Sequence, residues 1–219
     1  MERITVTGFR WVPTFAQGLA RDMRVRWALQ EAGRAYDVDL IDLGERHSES
    51  YRRRHPFGLI PAFEADGHGV FESGAILHRI AEVSPELMPT DAVGRANTLA
   101  WMFAALNTVE PPLDALSVLD LQHPGEEWAK LRRPGAVEAV QVRLDALAAW
   151  LEPRDFLLGR FTAADILMTT VLRLIRHTDL VTRIPVLEVY QTRCEARPAF
   201  QRALAEQMDG YRQNAPMAA

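Results

Sequence analysis

Along the first 83 residues the spacing of apolar positions switches repeatedly between two and four. Ile4 to Phe9 is short and rich in β-branched residues, which predicts a strand. From about Phe15 to Ala32, Leu19, Met23 and Trp27 recur every four residues; this predicts a helix, with Gly33 as its C-cap glycine. Tyr36, Val38 and Leu40 then alternate with Asp37 and Asp39, a second strand. A polar helix is expected over Ser48 to Arg54. Ala62 to Ala65 and Gly69 to Phe71 flank Asp66-Gly67, the turn dipeptide of a β-hairpin. Ile76, Leu77, Ile80 and Val83 predict a closing helix. The order is β-α-β-α-β-β-α. The first two strands, joined through a helix, should be parallel; the last two, joined by a tight turn, must be antiparallel.

Beyond a linker at Ser84 to Pro89 every periodic segment is helical. Leu99, Met102, Phe103, Leu106 and Val109 lie at helical spacing, with Pro111-Pro112 expected to break the run. Val137, Val140, Leu144, Leu147 and Leu151 form a seam of antiparallel-bundle type, read as core. In GRFTAADILM, Thr162 and Asp165 make a capping box, and Phe161 and Ile166 stand at the staple positions. Asp165 is therefore expected to hold the fold and do no chemistry. The pattern predicts an α/β domain over residues 1–83 and an all-α helical bundle domain over 90–219.

Composition narrows the chemistry. The net charge of −4 gives no general attraction to nucleic acid or to an anionic membrane, and the basic runs have acidic neighbours. No stretch reaches the roughly 18 apolar residues of a membrane span, and the first residues lack a signal-like core. A cytoplasmic location is the expectation. The single cysteine, Cys194, excludes an intrachain disulfide and dithiol exchange. The six histidines are scattered without ligand spacing, so no metal is expected. Nucleotide loops and the Gly-x-Ser-x-Gly elbow are absent.

Three stretches, in order, carry a resemblance. HPFGLIPAF…GVFESGAIL, GRFTAADI and IPVLEVYQTRCEARPAFQRAL resemble motifs of the cytosolic glutathione S-transferases, including bacterial ones, over nearly the whole chain. The resemblance implies a thioredoxin-like first domain and an all-helical second domain. It implies glutathione as co-substrate, no metal, and a homodimer. The activity implied is conjugation of the thiol to a small hydrophobic electrophile, or peroxide reduction, in a detoxifying role. It also implies a cis bond at Ile60-Pro61 that turns the Ile60 backbone toward glutathione. Ser73 would then hold the γ-glutamyl carboxylate at a helix N-terminus, and Glu72 would meet the ammonium. Read alone, Glu72-Ser73 is an ordinary helix cap; the binding role rests on its following Ile60-Pro61 and the hairpin at this spacing. Phe57 is the implied anchor of the dimer contact.

The chain departs from that pattern in two places. Leu59 stands where a lysine commonly reaches the glycine carboxylate, so His47 or one of Arg52 to Arg54 is expected to substitute. The catalytic Tyr, Ser or Cys is missing: none occurs between Gly8 and Gly33. In the unusually long RWVPT loop, Thr14 carries the only hydroxyl. It is either the thiol donor or a cap of the first helix, with Arg10 and Trp11 as rival N–H donors. Trp11, Phe15 and Trp101 are expected to line the electrophile pocket. The alternative reading is a non-catalytic binding or regulatory protein on the same fold.

Overall fold

The computed structural model describes residues 3–216. These divide into two compact units, one within Met1–Leu87 together with Arg197–Ala219, the other within Met88–Ala196.

The first unit is built on a four-stranded sheet. Its strands are β1 (Ile4–Phe9), β2 (Asp37–Ile41), β3 (Ala62–Ala65) and β4 (His68–Phe71), in the order β2-β1-β3-β4. β1 runs parallel to β2, with Val6 opposite Val38, and antiparallel to β3, with Val6 opposite Phe63. β3 and β4 pair antiparallel through Ala65 and His68. The two residues between them, Asp66 (φ 49°) and Gly67 (φ 79°), both lie in the left-handed region. That is the turn whose twist matches a hairpin, as the dipeptide predicts.

Helices α1 (Asp22–Glu31), α2 (Glu49–Arg52) and α3 (Ser73–Glu82) follow their strands. α1 begins later than its periodicity suggests, and the expected start at Phe15 is corrected. Pro13 leads into a 3₁₀ turn at Thr14–Ala16, and Gly18 takes φ 76°, which no right-handed helix can contain. The apolar repeat at Leu19 thus begins before the helix does.

Residues assigned from sequence to the bundle join this first unit. The last helix, α9 (Pro198–Gln213), packs on α1. Side-chain complementarity explains the placement. Phe200 meets the buried Trp27 edge to face at 4.9 Å. Arg197 grips Glu31 with two bonds of 2.6 and 2.8 Å. Gln207 donates to Asp22 at 2.9 Å, and Arg26 reaches Glu206 at 3.3 Å. With β1, α3 and α9 around it, α1 buries eight of its ten residues, Asp22, Arg24 and Arg26 among them.

The second unit comprises α4 (Ala92–Phe103), α5 (Glu110–Ser117), α6 (Glu127–Leu151), α7 (Ala163–Leu172) and α8 (Pro185–Glu195). The break expected at Pro111-Pro112 takes the form of a π-turn at Ala104–Val109. The prolines lack the N–H that an α-turn would need there, yet they fit the first turn of α5, where such N–H groups have no intrahelical partner. α7 is buried on every side and is the centre of this unit. Val140, Leu144, Leu147 and Leu151 of α6 are buried as the seam requires. Cys194 on α8 is fully enclosed. Among the described residues no helix is long and apolar enough to cross a membrane.

Candidate functional site

The site is assembled at one end of the first unit from the loop after β1, the loop before β3 and the start of α3. Ile60-Pro61 is cis. Ile60 is buried in a small cluster with Ile41, Tyr51 and Ala62, against which Phe9 and Ala20 pack. Ala20 lies one residue before Arg21, the N-cap of α1, so this cluster brings the start of α1 and Ile60 together. The Tyr51 hydroxyl donates to the Leu59 carbonyl at 2.7 Å and fixes the approach to Ile60. Burial holds the Tyr51 phenol neutral by pushing its pKa up to about 12.

The hairpin returns the chain to Glu72 and Ser73. Glu72 is exposed and adopts φ 70°, ψ 120°, an unfavourable conformation for a side chain with a Cβ. Ser73 is the first residue of α3 and is 5% exposed. Its Oγ accepts a hydrogen bond of 3.1 Å from Nη1 of Arg24, itself only 2% exposed. The first N–H groups of α3 have no intrahelical acceptor. Helix end, hydroxyl and guanidinium together make a set of donors suited to a carboxylate.

The position of α1 is set from behind. Asp22 accepts from Arg26 at 2.8 Å and from Gln207, with both oxygens out of water. Burial pushes the Asp22 carboxyl up from its ordinary range, against the pull of Arg26. Gly8 of β1 faces this pair. A Cβ there would come 2.9 Å from Asp22 Oδ2, so only glycine lets α1 lie this close to the strand.

The residues proposed for the thiol have separate surroundings. Arg10 turns to the end of β2, donating to Asp42 at 3.1 Å and to the Leu40 carbonyl at 3.0 Å. Trp11 is half-buried. Thr14 is exposed and caps nothing: the 3₁₀ turn has Pro13 at its N-cap and α1 has Arg21. Phe15 is 41% exposed. His47 is exposed and accepts from Arg46 at 3.1 Å. Of the alternative cations, Arg54 is held by Asp39 and Thr7, whereas Arg52 and Arg53 are exposed. In the second unit the Trp101 ring lies tilted by 45° against that of Trp150, with centroids 5.2 Å apart. Among the described residues no cluster of three or more His, Cys, Asp or Glu could hold a metal ion.

Sequence reasoning missed Arg24. It stands next to Met23 of the apolar repeat, where a charge reads as the solvated flank of a helix. The available signal was that α1 must be covered on more than one side.

A four-stranded thioredoxin-like sheet, a hairpin leading to Ser73, and a separate helical unit define a glutathione transferase architecture. Residues 16–82 match the family described as glutathione S-transferase, N-terminal domain. Residues 16–82 of the first unit are thus similar to a glutathione S-transferase N-terminal domain, and the chain has the glutathione transferase fold. It is 34% identical to a probable maleylacetoacetate isomerase 2 of Drosophila melanogaster, over 49% of this chain and 48% of that protein. The chain thus spans about half the length of that relative. It is 28% identical to the maleylacetoacetate isomerase of Rhizobium meliloti, covering 82% of this chain and 89% of the relative. Among solved structures it is similar to the theta class glutathione S-transferase of Xanthomonas axonopodis pv. citri with glutathione bound. There the identity is 25%, the coverage 93% of this chain and 98% of that one, and the TM-score 0.79.

Proposed function

We propose that the chain is a glutathione-dependent enzyme that binds the tripeptide at Ile60, Pro61, Glu72 and Ser73 and activates its thiol for attack on a small hydrophobic electrophile or a peroxide. The observation that carries the reading is the buried Arg24–Ser73 contact at the start of α3, directly after a Glu72 held in a left-handed conformation. Strain of this kind persists where the surroundings enforce it, and a ligand-binding turn is a common reason. The Xanthomonas structure with glutathione bound supports the same reading. Thr14 is proposed as the thiol donor, with Arg10 and Trp11 as rivals; His47, Arg52 or Arg53 is proposed for the glycine carboxylate. Trp11 and Phe15 are proposed as electrophile contacts, and a second copy of the chain as partner.

Two further readings have specific support. Relatives named maleylacetoacetate isomerase favour reversible addition of the thiolate to a conjugated double bond, which permits rotation before the thiol leaves. The absence of Tyr, Ser and Cys between Gly8 and Gly33 favours a binder without turnover. One experiment separates all three. Calorimetric titration with glutathione and an S-alkyl conjugate is combined with assays of aryl halide conjugation, peroxide reduction and isomerisation of a cis-dienone acid. Glutathione binding with one of these turnovers is the expected result. Binding with no turnover in any assay selects the binder, and no binding at millimolar glutathione rejects the proposal.

A further inference from the structure

Arg24 has a definable part in this site. A serine hydroxyl has one proton and two lone pairs, whereas a guanidinium only donates. Arg24 Nη1 lies 3.1 Å from Ser73 Oγ, so it occupies a lone pair and the serine proton must point elsewhere. Both residues are buried, which keeps water from exchanging into the contact. The nearby N–H groups at the start of α3 are donors as well. The serine proton is therefore left for an incoming acceptor, which would meet it together with the N–H groups of the helix end.

We infer that Arg24 is a positioning residue that presents the Ser73 hydroxyl outward as a donor and so makes the start of α3 select a carboxylate over the corresponding amide; this rests on the glutathione reading. A carboxylate accepts from all these groups at once. A carboxamide places its own N–H₂ against a donor and leaves one group unpaired, the situation in which buried polar sites discriminate most strongly. Arg24 acts through Ser73 and need not touch the ligand.

The test is a double-mutant cycle read as ligand preference. Affinities for glutathione and for the analogue whose γ-glutamyl α-carboxylate is a primary amide are measured by calorimetry. The proteins are the wild type, Arg24→Met, Arg24→Lys, Ser73→Ala and the double variant Arg24→Met/Ser73→Ala. The wild type should prefer the carboxylate by about tenfold or more, as expected for a hydrogen bond to a charged group. Arg24→Met should reduce that preference to about twofold, Arg24→Lys should retain most of it, and the double variant should lose no more than either single change. An unchanged preference in Arg24→Met, or additive losses in the double variant, overturns the inference. If Arg24→Met does not fold, Arg24→Lys and Ser73→Ala decide. A preference surviving intact in Ser73→Ala overturns the inference without reference to Arg24→Met. Glutathione that fails to bind even the wild type overturns the glutathione reading itself. Binding without the Arg24 effect overturns only this inference.

Discussion

Thr14 and Ser73 carry hydroxyl groups in opposite surroundings, one exposed on a 3₁₀ turn and the other buried against a guanidinium. Different losses follow. Removing a buried hydrogen bond to a charged group costs roughly 1.5–3 kcal/mol, so Ser73→Ala should weaken glutathione about tenfold or more and, because it also takes the acceptor from Arg24, should lower the thermal midpoint without unfolding the protein at about 25 °C. Equal affinity in calorimetry would remove Ser73 from the site. Thr14→Val should raise the pKa of the bound thiol, which an ordinary environment leaves near ~8.5, and Thr14→Ser should not. Thiolate absorbance of bound glutathione against pH reads this directly. A curve unmoved by Thr14→Val transfers the role to Arg10, Trp11 or a backbone N–H. Ser73 was legible in the sequence because a turn dipeptide and an apolar helix bracket it. Arg24 was not, because burial of a charge depends on what folds over it.

The hairpin-to-helix corner shows what an element demands of single residues. Glu72 holds a left-handed φ that glycine adopts without penalty. Glu72→Gly should therefore stabilise the first unit by about 1 kcal/mol while weakening glutathione binding. A chemical denaturation midpoint that falls together with affinity would contradict this. In the second unit, Asp165 caps α7 through the Thr162 N–H at 2.9 Å and also accepts from Leu157 and Tyr190, each at 3.0 Å. Burial raises its pKa from 3.8 to about 6. The folded state thus keeps this proton at pH values where the unfolded chain has released it. Its stabilising effect is complete below about pH 4 and is lost as pH rises to about 6, a difference on the order of 3 kcal/mol. Asp165→Asn should remove that dependence and also cost about 2 kcal/mol at neutral pH, because its N–H₂ faces a donor. Denaturation midpoints at pH 4, 5, 6 and 7 test both statements. The capping box was readable from four residues. The start of α1 was not, since period-four spacing says nothing of a left-handed Gly18 upstream.

At the scale of the whole molecule, the β-α-β-α-β-β-α order and the mixed sheet follow from the spacing of apolar positions and one turn dipeptide. The assignment of α9 does not. Its periodicity is that of any amphipathic helix, and only its pairing with Glu31, Asp22, Arg26 and Trp27 places it beside α1. Association of two copies is expected to use Phe57, which is 69% exposed and rests beside His55 and Phe71. Large exposed aromatic rings are favoured anchors at such contacts. Light scattering at micromolar concentration should give twice the mass of one chain, and Phe57→Asp should halve it. A wild-type mass of one chain would reject the dimer.

Cys194 is the only cysteine, and it is sealed inside the second unit. A disulfide reagent added to the native protein can meet that sulfur only when α8 comes away from its neighbours. The rate of colour formation is therefore a built-in clock for the opening of one unit, needing no label or engineered thiol. Over times shorter than that opening, the same enclosure keeps the protein silent in an assay that counts glutathione by its thiol, so rapid consumption of the small molecule can be followed without subtracting the protein.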